Sequence, residues 1–576
     1  MKKNLFKAIL LLLIVTACQF DGTDVPEKGV SKQLAQFRSG VISELDYHLH
    51  ITVPTEKKSS ITGHSILSFQ LKDKRKALFL DFKAEQDQLH QLIVNGDTIS
   101  QPQIENEHIR LPKKALKKGA NEVVIHFVVG DGALNRNDNY FYALFVPDRA
   151  RTAIPCFDQP DIKGRFAVTM ALPENWAGVA NGPKIITQLN EENKTVEFEA
   201  SKPISTYLWA FAAGEFQYTS TRWKNMEIGL YHMVKDSAKY QRNQATIFKQ
   251  VKESLDWLVD YTQVDYPFQT YNLVAIPSFQ FGGMEHPGAT YYRSEKIFLD
   301  ENPTREEELG RANLIAHETS HMWFGDLVTM PWFEEVWLKE VFANYMADKI
   351  TQPWFPEMDH QLRFLLAHFP AAYSVDRTSG ANPIGQQLDN LENAGTLYGS
   401  IIYHKSPIVM NQLEHLAGSK QLQHGIQDYV KDFAYGNASW NDLIDRVDKY
   451  AEDDLKVWSQ AWVFEPGRPV ISFAPSSQHK NKWRIRQQPE HVTGENSNVY
   501  WPQIINLLQD TTQYRYDLFD AGITVDEKLE QYNTLFLADD KGYGLVRMTD
   551  PQIDYWLAHA MELERPLLRG RLCINL

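Results

Sequence analysis

The chain has 576 residues, of which 43% are hydrophobic and 12% aromatic. This composition can fill several packed cores, so it excludes a chain that is disordered over most of its length. The formal net charge of −14 would repel a polyanion, which argues against nucleic acid as a partner.

The first 18 residues have the features of a secretory signal. Lys2 and Lys3 are followed by an apolar run over residues 8–14, which is too short to span a bilayer as a mature helix. Residues 15–18, Val-Thr-Ala-Cys, resemble a bacterial lipoprotein box, in which Cys18 becomes the lipidated first residue after cleavage. The resemblance implies a protein of the bacterial cell envelope that is lipid-anchored to a membrane and lies in the periplasm or at the cell surface. The alternative is an ordinary secretory signal in which Cys18 is incidental.

Residues 19–42 are mostly polar and predict a tether between the anchor and the fold. Over residues 43–217, apolar residues alternate with polar ones, as at Leu49, Ile51 and Val53. Alternation with a period of two is typical of strands with one buried face. This region is therefore predicted to be an N-terminal all-β domain.

Residues 218–466 change to a helical periodicity. Ile247, Val251, Leu255 and Leu258 recur at intervals of three and four residues, which places them on one face of a helix. The region is predicted to be mainly α-helical, and it contains the chemical motifs that are described below.

Residues 467–548 return to strand-like patterns and predict a small β-sandwich. The run Thr-Asp-Pro at 549–551 then has the features of a helix start, with proline in the first turn. The predicted helix carries an apolar stripe that includes Trp556, with little chain left to cover it. Together these regions predict a multidomain α+β fold in which residues 549–576 begin a further helical region.

Residues 317–321 read His-Glu-Thr-Ser-His. On a helix, residues four apart share a face, so His317 and His321 can direct both imidazoles at one ion, and Glu340 on a following helix can supply a third ligand. Three protein ligands leave one position of a tetrahedral zinc ion open to water, which is typical of catalytic sites. Glu318 lies beside the pair and can act as the general base. The alternative is a surface helix with two solvated histidines.

The segment 317–333, HETSHMWFGDLVTMPWF, resembles the metal-site segment of the aminopeptidase N-type zinc metallopeptidases. In that family an element W-L-N-E-G-F-A follows, and here residues 337–343 read W-L-K-E-V-F-A. The resemblance implies one Zn²⁺ per chain with Glu340 as the third ligand, a thermolysin-like catalytic domain and peptide substrates. The family continues into a large helical domain, so the resemblance also implies that this chain is truncated.

A second segment resembles the G-A-M-E-N exopeptidase motif of the same family and consists of Gly282, Gly283, Met284, Glu285 and His286. The resemblance implies that this segment binds substrate and that Glu285 pairs with the free α-amine. His286 replaces the family's asparagine, and Val146 stands where the family often has Glu or Gln, which weakens the expected amine recognition. Tyr403 lies in a segment that resembles the family's Y-x-K-G, which implies that its hydroxyl donates a hydrogen bond to the developing oxyanion.

The leading hypothesis is a zinc-dependent aminopeptidase that releases N-terminal amino acids from peptides by metal-activated attack of water on the amide. A second hypothesis keeps the zinc hydrolase but drops the strict need for a free N-terminus. A third is a catalytically weak or inactive lipoprotein that uses a peptidase fold to bind peptides or a partner. The complete set of His317, Glu318, His321 and Glu340 favours the two enzymatic hypotheses.

Overall fold

The structure is a computed structural model that describes residues 25–189, 194–476, 479, 482–491, 499–525 and 532–576. The predicted signal segment and the predicted lipidation site Cys18 lie outside these residues, so lipid anchoring stays a prediction. Within the described ranges, no helix combines the length and the apolar character that crossing a bilayer requires.

The N-terminal region is β-rich, as predicted. Along its first strand the buried residues Leu45, Tyr47, Leu49 and Ile51 alternate with less buried ones, because successive side chains of a strand point to opposite faces. The strands are β1 (Ile42–Thr52), β2 (Thr62–Leu71), β3 (Leu78–Asp81), β4 (Leu89–Val94), β5 (Asp97–Thr98), β6 (Ile104–Glu105), β7 (His108–Leu111), β8 (Gly119–Val128), β9 (Leu134–Arg136), β10 (Tyr140–Ala143), β11 (Gly164–Leu172), β12 (Ala177–Ala180), β13 (Lys184–Leu189), β14 (Lys194–Phe198) and β15 (Phe211–Gly214).

Eight of these strands form one sheet in the order β13-β14-β11-β1-β2-β8-β4-β5. Strand β1 pairs antiparallel with β2 and parallel with β11. The remaining strands form a four-stranded sheet, β12-β15-β10-β9, and a three-stranded sheet, β3-β7-β6.

The prediction of a tether over residues 19–42 is wrong for its second half. Residues Lys32–Val41 form helix α1, which precedes β1. Arg38 of this helix is fully buried, and its guanidinium donates hydrogen bonds to both carboxylate oxygens of Asp81, at 2.8 and 2.5 Å, and to the backbone oxygen of Phe79. The partner carboxylate lies 43 positions further along the chain, so the local polar composition gave no sign of it.

The next region is mainly helical, as predicted, and includes one five-stranded sheet. Its strands are β16 (Gln217–Trp223), β17 (Met226–His232), β18 (Tyr271–Ile276), β19 (Gly283–Met284) and β20 (Thr290–Arg293), in the order β16-β17-β18-β20-β19. Strand β19 is thus an edge strand. The helices are α2 (Ser237–Thr262), α3 (Ser294–Ile297), α4 (Arg305–Ser320), α5 (Val336–Thr351), α6 (His360–Asp376), α7 (Ser406–Ala417), α8 (Ser419–Asp432), α9 (Trp440–Val447) and α10 (Leu455–Phe464).

The last strands form two small sheets that share a core. Ile471 and Ile485 of one sheet belong to the same apolar cluster as Ile505 and Leu507 of the other. The strands are β21 (Pro469–Pro475), β22 (Trp483–Pro489), β23 (Gln503–Gln509), β24 (Thr512–Leu518), β25 (Gly522–Val525), β26 (Thr534–Phe536) and β27 (Leu545–Val546), in the orders β25-β22-β21-β27 and β24-β23-β26.

The chain then forms helices α11 (Asp550–His559) and α12 (Pro566–Asn575). Trp556 of α11 is buried in a cluster with Leu508, Leu535 and Leu572, whereas the neighbouring Leu557 is exposed. The expectation that little chain remains to cover this stripe is therefore wrong for Trp556, which β23, β26 and α12 cover, whereas Leu557 and Met561 of the stripe stay exposed.

Replacing Arg38 with leucine should lower the free energy of unfolding by about 3–5 kcal/mol, because the buried Asp81 carboxylate loses its ionic partner. Thermal denaturation measures this loss as a lower Tm. The control is Arg75→Leu, which removes an exposed, solvent-screened ion pair with Asp73 and is expected to leave the Tm nearly unchanged. Equal Tm values for the two variants would show that docking of α1 does not depend on the buried pair.

Candidate metal-dependent hydrolytic site

Helix α4 carries the first two predicted metal ligands. Its first turn is fixed by a capping box between Thr304 and Glu307, and its last residues bring His317 and His321 to one face. The Nε2 atoms of the two histidines lie 3.1 Å apart. The structure thus brings the pair together as the four-residue spacing predicts.

Helix α5 packs against α4 and brings Glu340 to the same point. The Oε2 atom of Glu340 lies 3.6 Å from Nε2 of His317 and 4.0 Å from Nε2 of His321. The side chains of His321 and Glu340 are at most 10% exposed, and that of His317 is 19% exposed. The three predicted ligands therefore converge in a largely buried position.

The other ring nitrogen of each histidine is held by a hydrogen bond. Nδ1 of His317 donates to Oδ1 of Asn344 at 3.0 Å, and Nδ1 of His321 donates to the backbone oxygen of Phe324 at 2.9 Å. A proton on Nδ1 leaves the lone pair of Nε2 free, which is the tautomer that a metal ligand needs.

This donor set fits a zinc ion. Zinc takes nitrogen and oxygen ligands at about 2.0–2.2 Å in a tetrahedral arrangement, which places ligand atoms about 3.3–3.6 Å from one another. The three observed separations are 3.1, 3.6 and 4.0 Å. His317, His321 and Glu340 would therefore hold the ion after small side-chain adjustments.

Glu318, the predicted base, lies against the backbone of the segment that resembles the exopeptidase motif. A methyl group on Gly283 would overlap the Glu318 carboxylate, so the glycine makes room for it. Burial raises the pKa of Glu318 to about 8, and the charges of Glu285 and Glu340 act in the same direction. A divalent cation at the neighbouring ligands would lower that pKa again.

A buried lysine, which was not among the predicted site residues, joins two of the carboxylates. Nζ of Lys339 donates to Oε1 of Glu285 at 2.6 Å and to Oε1 of Glu340 at 2.7 Å. Burial lowers the pKa of Lys339, but the two carboxylates outweigh it and raise this pKa above its ordinary value. Burial likewise acts to raise the pKa of Glu285, and Lys339 outweighs it and lowers that pKa to about 2. The sequence signal was the lysine in W-L-K-E, where the similar family has asparagine.

Tyr403 lies in a π-helical turn, Ile401–Lys405, that leads into α7. It lines the same cavity as the metal-ligand cluster, and its ring stacks with that of Tyr398 at a centroid distance of 6.3 Å. Burial raises the pKa of Tyr403, so its hydroxyl keeps its proton and can donate. The buried hydroxyl of Tyr398 has no hydrogen-bond partner within the described ranges, so a second tyrosine donor lies at the same wall.

These side chains line a cavity of about 1230 Å³. This exceeds the roughly 300–1,000 Å³ of typical small-molecule pockets, so the cavity can take several residues of a peptide. One wall is the edge strand β19 with its neighbours Gly282 and Glu285. Val146 also lines the cavity, and this apolar side chain offers no hydrogen-bond acceptor to an amine.

The structure corrects the predicted substrate-binding role of His286. Its side chain is fully buried, and its ring packs edge-on against Tyr291 at a centroid distance of 4.6 Å. Burial lowers the pKa of His286 to about 3, so the ring is neutral. Successive residues of an extended segment point to opposite sides, so Glu285 faces the cavity while His286 points away from it.

Replacing Asn344 with leucine should weaken zinc binding by about 10- to 100-fold, because His317 loses the acceptor that orients its ring. Competition with a chromophoric chelator measures the affinity. Asn411→Leu is the matched control, since Asn411 lines the cavity from α7 without this contact. Equal zinc affinity of the two variants would exclude an orienting role for Asn344.

Two family models match the chain. The Peptidase M1 N-terminal domain matches residues 43–208, and the Peptidase family M1 domain matches residues 247–462, which includes the metal-ligand cluster.

Curated relatives agree with these matches. Tricorn protease-interacting factor F2 of Thermoplasma acidophilum is 29% identical over 62% of this chain and 44% of its own length. Puromycin-sensitive aminopeptidase of Caenorhabditis elegans is 31% identical over 61% of this chain and 37% of its own length. Aminopeptidase N of Streptomyces lividans is 28% identical over 78% of this chain and 53% of its own length. The chain thus spans about half or less of the length of these relatives, and it belongs to the M1 peptidase family.

Proposed function

We propose that this chain is a zinc-dependent aminopeptidase, which removes N-terminal amino acids from peptides. The observation that carries the proposal is the convergence of His317, His321 and Glu340, with their Nε2 and Oε2 atoms 3.1 to 4.0 Å apart, beside the buried Glu318. Membership of a peptidase family and relatives named aminopeptidases support the reaction type.

The proposed chemistry assigns one task to each group. A zinc ion at the three ligands would polarise the scissile carbonyl and lower the pKa of water. Glu318 accepts the proton of the attacking water and returns it to the leaving amine. Tyr403 donates a hydrogen bond to the carbonyl oxygen as negative charge develops there.

The cavity wall offers a means to orient the substrate. Among the residues that the structure describes, β19 pairs with β20 on one side and with no strand on the other, so its free side can pair with an extended peptide. Glu285 lies next to β19 and is the proposed partner of the substrate's α-ammonium. A carboxylate at that place would position the first residue so that its carbonyl lies at the metal ligands.

One observation favours a second candidate, a peptide-binding protein with weak or no turnover. Lys339 contacts both the proposed amine anchor, Glu285, and the proposed third ligand, Glu340. The two candidates are separated by measuring zinc content and peptide hydrolysis on the same preparation. A protein that binds zinc and peptide without hydrolysis would be the peptide-binding candidate.

Replacing Glu318 with glutamine should leave about one zinc per chain and lower turnover by about 100- to 10,000-fold, because the amide cannot accept the proton. Elemental analysis and a panel of aminoacyl fluorogenic amides measure the two quantities. Glu414→Gln is the control, since Glu414 lines the cavity but pairs with Lys349. Full activity of E318Q would exclude Glu318 as the base.

Replacing Tyr403 with phenylalanine should lower kcat by at least about 100-fold without loss of zinc, because one preorganised donor is removed. Tyr398→Phe is the matched variant and should have a smaller effect. If Y398F lost more activity than Y403F, Tyr398 would be the donor and the assignment from the sequence would be wrong.

A further inference from the structure

We propose that Lys339 competes with the α-ammonium of the substrate for Glu285, so that this chain discriminates weakly between peptides with a free and with an acylated N-terminus. The inference rests on the proposed aminopeptidase function and refines its substrate class. The competition reduces the advantage that a charged nitrogen at this place would have over an uncharged one, as in an amide.

The geometry shows that Glu285 already holds an ammonium group. Nζ of Lys339 lies 2.6 Å from its Oε1, and the lysine side chain is only 4% exposed. The second contact, at 2.7 Å, is with Glu340. A substrate ammonium that approaches Glu285 therefore meets a carboxylate that already has an ammonium partner, which it shares with Glu340.

The aliphatic part of the Lys339 side chain contributes to its position, in addition to the charge of its amine. It projects from α5, and its Cβ and Cδ atoms pass close to Gly325, which has a φ of +130° and no side chain in the way. The ring of Tyr207 lies 5.7 Å from Nζ on another side. Because the lysine side chain is almost fully buried, its amine cannot leave Glu285 for bulk water without breaking these contacts.

Charge balance gives the same result. Glu285, Glu318 and Glu340 are three acidic groups around one small volume. Lys339 places one positive charge among them, and a divalent ion at the metal ligands would add two, which together balance the three. A second ammonium at Glu285 would lie next to the first in a site with little water, where repulsion between like charges is weakly screened. An acylated nitrogen brings no such charge and can still donate a hydrogen bond.

The other two positions at which the family resemblance places amine recognition do not supply a second acceptor for the substrate ammonium. Val146 supplies an apolar side chain at the cavity wall, and the ring of His286 points away from it. Recognition of the free amine therefore depends mainly on Glu285, which makes the competition with Lys339 decisive for substrate choice.

The test compares native protein with Lys339→Met, which keeps most of the length of the side chain without its charge, and with Lys339→Arg, which keeps the charge. Each is assayed with a leucyl fluorogenic amide and its N-acetyl form. We expect the native preference for the free amine to be below about tenfold, and K339M to raise it at least about tenfold through a lower KM. K339R keeps the positive charge at this place, so its preference for the free amine should stay below about tenfold.

Binding provides a second measurement that does not need turnover. Chains that carry Glu318→Gln are titrated calorimetrically with leucinamide and with N-acetyl-leucinamide. Adding Lys339→Met to them should strengthen leucinamide binding by about tenfold and leave the affinity for the acetylated ligand unchanged. If the native chain hydrolyses neither amide but this change in binding is observed, the proposed function is rejected and the inference is kept.

Three results would overturn the inference. The first is a native preference for the free amine above about tenfold, which needs no variant to measure. The second is unchanged or weaker leucinamide binding in K339M. The third concerns the case in which K339M does not fold, as judged by its Tm, so that Lys339→Asn replaces it. If the ratio of activity on the free amide to activity on the acetylated amide is then the same in K339N as in the native chain, the inference is overturned.

Discussion

The site depends on the packing of two helices, α4 and α5, at one aromatic contact. Phe324, just after α4, stacks on Phe342 of α5 with ring centroids 4.5 Å apart, and its backbone oxygen accepts the hydrogen bond from Nδ1 of His321. The same residue therefore fixes the helix pair and the orientation of one metal ligand. Because Glu340 lies on α5, the ligand separations follow from this packing rather than from a loop.

Electrostatics then decides what the helix pair can bind. The cluster concentrates carboxylates in a buried volume, which is unfavourable unless cations are supplied. The protein supplies Lys339 itself, and the histidines and Glu340 offer a place for a divalent ion. A site arranged in this way needs less positive charge from a bound molecule, which links the metal site to the proposed choice of peptide.

Local patterns predicted much of this molecule. The alternation at Leu49 and Ile51 marks a strand, and the four-residue spacing of His317 and His321 places two imidazoles on one face, because both periodicities follow from backbone geometry alone. Helix α1 was not predicted, since its docking depends on Arg38 meeting a carboxylate that is remote in sequence. The turn of His286 away from the cavity depends on which face of the extended segment packs against Tyr291.

The sequence alone determined the donor types of the metal cluster, the family resemblance and the succession of strand-rich and helical regions, because these depend on residue identity and short-range spacing. Only the tertiary structure decided that Lys339, 54 positions from Glu285, lies within hydrogen-bonding distance of it. The physical reason is that ionic and hydrogen-bonding energies depend on distances of a few ångströms, and packing of the folded chain sets those distances.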